Sequence, residues 1–169
     1  MKSRRKGFGE HPLMWSAASG NLAEIQRLMA SGSAIDMVND HGHTPLIYAA
    51  AFGQSQALLA LLQFHPNLEH RDRHGFTALY HAACKGHAQI VRELLGRGAL
   101  VDARTNNDLT ALMGSSANGH EEVVRLLLSA GADARATAAS GETALHYAAE
   151  GDHKAIIDML LDALSSSKR

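Results

Sequence analysis

Residues 77–83 read TALYHAA, and copies of this phrase return every 33 residues along the chain. The copies are TPLIYAA from Thr44, TALMGSS from Thr110 and TALHYAA from Thr143, and a more divergent copy, HPLMWSA, begins at His11. A fixed period of this length is typical of a stacked array of small supersecondary units. Because one unit alone cannot bury its apolar face, the period predicts the architecture of nearly the whole chain.

Each period predicts two short helices separated by a turn. Thr77 is placed to cap the first helix, because a threonine hydroxyl can accept a hydrogen bond from the free N–H groups of a first helical turn. Gly86 follows about one helix length later and separates this helix from the second one. Residues 90–95 (IVRELL) then place apolar side chains at helical spacing, which indicates a second helix with one buried face.

Three turn positions carry a residue other than the glycine found in the neighbouring units, and one of them is Asp152 between the two helices of the fifth unit. Asp108 stands where the third unit has Gly75, and aspartate is one of the few other residues that tolerate the left-handed region. His65, followed by Pro66, stands where other units have a glycine after the second helix. We therefore expect a left-handed residue at Asp108 and an irregular helix end near His65.

The phrases and the turn glycines that precede them resemble the ankyrin repeat, over about residues 6–164. The resemblance implies an all-α solenoid of stacked helix-turn-helix units with β-hairpin-like loops. The expected organisation is a disordered basic tail at 1–5, one repeat domain at 6–164 and a polar tail at 165–169. Within the domain, the repeats are expected at about 6–38, 39–71, 72–104, 105–137 and 138–164.

Composition excludes several classes of protein. The 169 residues include 16 basic and 17 acidic side chains, so the net charge of −1 provides no global field for holding a nucleic acid. The single cysteine, Cys84, cannot form an internal disulfide and suits a reducing compartment. The sequence contains no run of 18 apolar residues that would span a membrane. We therefore expect a monomer that binds neither nucleic acid nor membrane.

The N-terminal residues MKSRRK carry four basic side chains and no apolar stretch of the kind that a secretory signal requires. A short basic run of this kind is usually a solvated tail, and a weak nuclear-import or anionic-surface signal is the alternative. The expected location is the cytoplasm, with the nucleus as the alternative.

Eleven histidines raise the question of a metal site. His87, His120 and His153 recur at the period, but stacked helices lie roughly 10 Å apart, too far for three imidazoles to reach one zinc ion. In the family that the chain resembles, a histidine at this position joins neighbouring repeats by hydrogen bonds. We expect the same role here, and no metal ligands or cofactor.

His81, Cys84 and His87 form the alternative to this interpretation, because their spacing combines donors that zinc prefers. They would support a metal- or thiol-dependent enzyme. However, Gly86 ends the first helix between Cys84 and His87, and no third residue that would orient a thiol nucleophile is evident. We therefore expect no catalytic residue.

The resemblance also implies a partner-binding surface, made by the hairpin tips and the exposed side of the first helices. The residues at these positions that we expect to contact a partner are His41, His43, Phe52, Arg71, Arg73, His74, Phe76, Lys85, Arg104, Asn107, Leu109 and Asn118. Apolar anchors beside a basic rim are typical of an interface and favour a partner with an acidic segment. The alternative is that the apolar side chains at the tips pack against one another across adjacent hairpins.

These observations predict a non-catalytic protein–protein interaction module that scaffolds, masks or inhibits its partner. A pre-ordered surface suits this role because little conformational entropy is lost when a partner docks. Two other classes of function are the enzyme described above and nucleic-acid binding through the basic tail. The tail lacks the interleaved aromatic residues of a nucleic-acid interface.

The fourth repeat is expected to be the least stable. In its first helix, Ser115 and Ser116 replace alanines of other repeats and follow Gly114, and glycine inside a helix costs roughly 0.5–1 kcal/mol relative to alanine. Native-state hydrogen exchange should therefore be faster at residues 110–117 than at residues 77–84. Equal or slower exchange would favour the alternative, in which Gly114 permits a close contact and Gly114→Ala is destabilising.

Overall fold

The structure is a computed structural model of the 169-residue chain, and it describes residues 11–166. Ten helices occur in this range: α1 (Pro12–Ser19), α2 (Leu22–Ala30), α3 (Pro45–Ala51), α4 (Ser55–Leu62), α5 (Ala78–Cys84), α6 (Ala88–Gly96), α7 (Ala111–Ala117), α8 (Glu121–Ser129), α9 (Ala144–Glu150) and α10 (Lys154–Ser166). No strand is present between residues 11 and 166. The chain is an all-α solenoid of five helix pairs, as the period predicts.

The two tails expected from the sequence are only partly within this range. The tail at 1–5 lies outside the described residues, and so do the last three residues of the tail at 165–169. The helix α10 continues to Ser166, two residues beyond the expected end of the repeat domain. None of the helices within 11–166 has both the length and the hydropathy that crossing a membrane requires.

Threonine caps start three of the first helices, as expected. The Oγ1 atoms of Thr44, Thr77 and Thr110 accept hydrogen bonds of 3.2–3.3 Å from the backbone N–H three residues later. In the fifth repeat, Nδ1 of His146 instead accepts a hydrogen bond of 3.2 Å from the backbone N–H of Thr143. Each cap satisfies a donor that would otherwise lack a partner at the helix start.

The helices form two layers, with α1, α3, α5, α7 and α9 in the first and α2, α4, α6, α8 and α10 in the second. Alanines at the contacts between first helices, such as Ala50 and Ala83, are completely buried. Because these side chains are small, neighbouring first helices approach more closely than neighbouring second helices do. The array therefore curves with its first helices on the inner side, and leucines such as Leu61 and Leu94 fill the space between the layers.

The loops before the first helices form tight hairpins without strands. In the third repeat, the backbone N–H of Asp72 bonds to the carbonyl oxygen of Phe76 at 3.1 Å. Neighbouring hairpins are also joined to each other through the backbone. The N–H groups of Arg73, Asn106 and Ala139 donate to the carbonyl oxygens of His41, His74 and Asn107, respectively, at 3.0–3.1 Å. The hairpin tips are thus held in register along one edge of the array.

The backbone keeps the conformation of the neighbouring repeats at turn positions where the residue type changes. Asp108 has a φ of 58°, which confirms the expected left-handed residue. His65 has a φ of 52°, in the same region as Gly98 with 88° one period later. The expected irregularity is therefore small: α4 has 8 residues where α6 has 9.

The serines of α7 have different surroundings. Ser115 and Ser116 are both fully buried. Oγ of Ser115 donates to the carbonyl oxygen of Leu112 at 3.1 Å, whereas Oγ of Ser116 has no hydrogen-bond partner among the described residues. Ala50 and Ala83 occupy the position of Ser116 in the two preceding repeats and are also fully buried.

Gly114 permits the close contact named above as the alternative to a weak fourth repeat. A methyl group added at Gly114 would overlap Sγ of Cys84 on α5 and lie 3.5 Å from the ring of Tyr80. Sγ can move away only by rotation about χ1, and one of the three staggered positions is rare in a helix. The glycine therefore allows α5 and α7 to pack together, and faster exchange in the fourth repeat stays a prediction.

Replacing Ser116 with alanine should stabilise the protein. A buried hydroxyl without a partner costs about 1–3 kcal/mol, so we expect Ser116→Ala to raise the free energy of unfolding by about 1 kcal/mol in urea titrations. Ser115→Ala is the matched control, because that hydroxyl has a partner, and we expect it to leave stability unchanged or lower it. An equal gain from both substitutions would contradict this explanation.

The Gly114 contact can be tested by a double-mutant cycle with Cys84. Overpacking typically costs about 1–3 kcal/mol, so Gly114→Ala alone should lower the free energy of unfolding. In a Cys84→Ala background the obstacle is gone, and the same substitution should be neutral or stabilising by about 0.5–1 kcal/mol through helix propensity. The same effect of Gly114→Ala in both backgrounds would show that the contact with Cys84 is irrelevant.

Candidate partner-binding surface

The residues expected to contact a partner lie along the hairpin tips and the inner helix layer. Nine of the twelve are exposed: His41, Phe52, Arg71, Arg73, His74, Lys85, Arg104, Asn107 and Asn118. The other three, His43, Phe76 and Leu109, are half-buried. Of the apolar members of the set, Phe76 and Leu109 are thus partly covered, whereas Phe52 is exposed.

A row of ring contacts runs through the second and third repeats. The row follows the order Phe52, Tyr48, His43, His81, Phe76 and Tyr80. The distances between consecutive ring centroids along it are 6.1, 5.5, 5.6, 5.5 and 4.6 Å. We call these six residues the ring row. The rings of Phe76 and Tyr80 are nearly parallel, at 7°. Ring pairs at these separations attract each other beyond the effect of buried area alone.

Phe76 is consequently both a surface residue and a packing residue. The alternative interpretation, that the apolar tip side chains pack against one another across adjacent hairpins, is not what the ring contacts of Phe76 show. Its neighbours Tyr80 and His81 belong to its own repeat, and only His43 in this row comes from the preceding hairpin. Phe52, by contrast, is 47% exposed at the end of the row.

Trp15 belongs to this surface and was missed by the sequence analysis. It is 41% exposed and, together with Phe52, Ala18 and Ser19, lines a shallow depression of about 150 Å³. The 33-residue period could have identified Trp15, because it lies one period before Tyr48. The divergent phrase at His11 places a large exposed aromatic residue at the position that the second repeat gives to Tyr48.

The arginines of the expected basic rim differ in their contacts. Nη2 of Arg71 lies 3.3 Å from Oδ1 of Asn106, and Nη1 of Arg104 donates to the carbonyl oxygen of Thr137 at 2.9 Å. Both side chains therefore connect neighbouring hairpins. Arg73 and Lys85 are exposed and form no ion pair with any residue in 11–166. These two cations are the members of the rim available to a charged partner.

A groove lies between the fourth and fifth hairpins. Its volume is about 400 Å³, and Asn107, Leu109, Ser140 and Tyr147 are among the residues that line it. Leu109 is half-buried and packs against the hydrophobic core. Two residues of the expected set, Asn107 and Leu109, are thus placed at a groove rather than at an isolated tip.

His43, Asp72 and His81 form a polar cluster in the middle of the ring row. Oδ2 of Asp72 lies 2.9 Å from Nε2 of His81 and 3.3 Å from Nε2 of His43. Oδ1 of Asp72 accepts hydrogen bonds of 2.8 and 3.0 Å from the backbone N–H groups of His74 and Phe76. The carboxylate is 1% exposed, so all its surroundings are supplied by the protein.

The cluster favours an ionised carboxylate and a neutral His43. Burial alone would raise the pKa of Asp72. Hydrogen bonds from His81 and from the backbone N–H groups of Phe76 and His74 lower the pKa by more than burial raises it, so the pKa lies below its usual value. The pKa of His43 is lowered, first by burial and then by the charge of His81, although Asp72 opposes both effects.

Within residues 11–166, His43, Asp72 and His81 are the one group of three histidine, cysteine or acidic side chains close enough to hold a metal ion together.

The other candidate group, His81, Cys84 and His87, is separated by the fold. His81 turns towards Asp72, Cys84 packs against Gly114 of the next repeat, and the imidazole of His87 lies against Gly53 of the preceding repeat. Burial raises the pKa of the Cys84 thiol, which disfavours the thiolate that a nucleophile requires. The enzyme hypothesis depended on these three side chains lying together, and the fold directs them to different neighbours.

The histidines that recur at the period connect neighbouring repeats. Nε2 of His120 donates to the carbonyl oxygen of Cys84 at 3.0 Å, and Nε2 of His153 donates to that of Ala117 at 3.2 Å. Each bond spans 36 residues of sequence and reaches the last helical residue of the preceding first helix. The structural role implied by the resemblance is thus confirmed at these two positions.

Comparison with known proteins agrees with this architecture. A family model described as ankyrin repeats (3 copies) matches residues 13–105, 62–138 and 98–168. No curated protein matches the chain. Repeats of this family generally bind other proteins and are typically not enzymatic. Since the three matches together span residues 13–168, the chain belongs to the ankyrin-repeat family.

Proposed function

We propose that this chain is a non-catalytic module that binds one partner protein on its hairpin tips and inner helices, and that it scaffolds, masks or inhibits that partner. The observation that carries the proposal is the pair of exposed aromatic residues, Trp15 and Phe52, at the end of the ring row. Large aromatic side chains dominate the binding energy of many interfaces, and adjacent exposed ones are costly to leave in water.

The backbone of this surface is ordered before a partner binds. Hydrogen bonds between neighbouring hairpins hold Arg73 and His41 together, and likewise Asn106 and His74. Arg71 and Arg104 add side-chain bonds between adjacent hairpins. A surface ordered before binding loses little conformational entropy on docking, so more of the contact energy appears as affinity.

The charges on this side favour a partner with an acidic segment. Arg73 and Lys85 flank the ring row, are exposed and have no carboxylate partner within residues 11–166. An acidic segment beside them would be steered towards the aromatic anchors. The groove at Asn107 and Leu109 gives the same partner an apolar contact in the fourth repeat.

Removal of Phe52 should weaken partner binding much more than removal of an equivalent residue elsewhere. Anchor residues typically cost about 2 kcal/mol or more on truncation, so we expect Phe52→Ala to raise Kd by about 30-fold. Phe64→Ala is the matched control, because Phe64 is 41% exposed but follows α4 in the second layer. Phe76→Ala and Leu109→Ala should also weaken binding, with some loss of stability because both are half-buried.

The partner can be identified by affinity purification with the wild-type chain and these variants side by side. Proteins retained by wild type and Phe64→Ala, but lost with Phe52→Ala, are the candidates. Their Kd values are then measured by titration, also with an Arg73→Glu/Lys85→Glu variant, whose loss of affinity should be largest at low salt. If every retained protein binds wild type and Phe52→Ala equally, the proposed surface is wrong.

A further inference from the structure

Two imidazoles and one carboxylate from neighbouring repeats meet inside the ring row. His43 comes from the hairpin of the second repeat, Asp72 from the hairpin of the third, and His81 from α5. We propose that these three side chains form a binding site for a divalent transition-metal ion of the zinc class. This departs from the sequence-based expectation that the chain has no metal ligands.

The spacing of the donor atoms fits a small metal ion. Oδ2 of Asp72 is 2.9 Å from Nε2 of His81 and 3.3 Å from Nε2 of His43, and the three donor atoms lie within 4.8 Å of one another. Zinc binds histidine nitrogen and carboxylate oxygen at about 2.0–2.2 Å, so the ligand atoms of a tetrahedral site lie about 3.3–3.6 Å apart. The two separations from Oδ2 of Asp72 are already close to this spacing, and side-chain rotation of the two half-buried imidazoles would bring their nitrogens to it.

The negative charge of Asp72 is not needed to form its turn. The same position in the second repeat is Asn39, whose Oδ1 accepts from two backbone N–H groups at 2.9 and 3.0 Å. In the fourth repeat Thr105 makes the equivalent bonds at 3.3 and 3.1 Å, and in the fifth Ala138 makes none. A buried carboxylate carries a desolvation cost that an amide or a hydroxyl avoids. The hairpin thus forms with uncharged residues at this position, and the second oxygen of Asp72 takes no part in the turn but faces the two imidazoles.

The surroundings of the cluster resemble those that metal ligands usually have. The backbone N–H groups of His74 and Phe76 hold Oδ1 of Asp72, so the carboxylate is already oriented towards the imidazoles. An imidazole that donates from Nε2 can move this proton to Nδ1, which frees the Nε2 lone pair for a metal. The side chains of His43 and His81 are 26% and 20% exposed, so water can reach a fourth coordination position.

The donor set also indicates which ions should bind. Two imidazoles and one carboxylate suit zinc, cobalt, nickel or copper, whereas magnesium and calcium prefer sites made of oxygen atoms. Cys84 belongs to no such group in the described residues, so no thiolate ligand is expected. These two features separate the proposed site from a general affinity of surface histidines or of the thiol.

The test measures zinc bound to the full chain, freed of any affinity tag and first stripped with a chelator. We expect Asp72→Asn to raise the Kd for zinc at this site at least about tenfold, so that at a free zinc concentration near the wild-type Kd the variant binds clearly less zinc per chain than wild type does. Asp72→Asn should still fold, because Asn39 serves the same turn. His43→Ala removes a ligand from a half-exposed hairpin position and provides a second variant.

His74→Ala is the matched control, since His74 is an exposed hairpin histidine of the same repeat outside the cluster. It should bind zinc as wild type does, and magnesium and calcium should not compete. Cobalt should give the visible absorption of a nitrogen–oxygen site, without the near-ultraviolet thiolate band. Equal zinc stoichiometry in wild type, Asp72→Asn and His43→Ala would overturn the proposal, as would loss of zinc from His74→Ala or a thiolate band with cobalt.

Discussion

The close approach of neighbouring first helices determines the rest of this structure. Fully buried alanines, such as Ala50 and Ala83, leave no bulk between α3 and α5, so the apolar faces of successive repeats form one continuous core. The same spacing brings successive hairpins within reach of backbone hydrogen bonds, such as the one from Arg73 to His41. The proposed binding surface is therefore a consequence of how the inner layer packs.

Departures from the period are informative because the backbone around them stays constant. His65 and Asp108 adopt left-handed conformations where other repeats have glycine, which shows that stacking outweighs the local preference of the residue. Asp72 replaces the uncharged Asn39 and Thr105 without changing the hairpin. Since the scaffold tolerates these changes, individual positions can acquire properties that the fold itself does not require.

The third repeat concentrates such properties on the inner side of the array. Phe76, His81 and the carboxylate of Asp72 lie together there, and His43 joins them from the preceding hairpin. The ring contacts cover the buried charge, while Arg73 and Lys85 remain at the exposed margin. The proposed partner surface and the polar cluster thus share the same few residues, because adjacent hairpins and first helices bring distant segments together there.

The sequence alone determined the period, the helix pairs and the threonine caps, since these depend on residues within one repeat. It placed Thr77 and Gly86 correctly but could not show that His43 reaches Asp72, 29 residues away and off the 33-residue period. Nor could it show that Gly114 accommodates Cys84, or that Phe76 is half-buried. These contacts join side chains of different repeats, so their existence depends on the distance and rotation between stacked units, which only the tertiary structure decided.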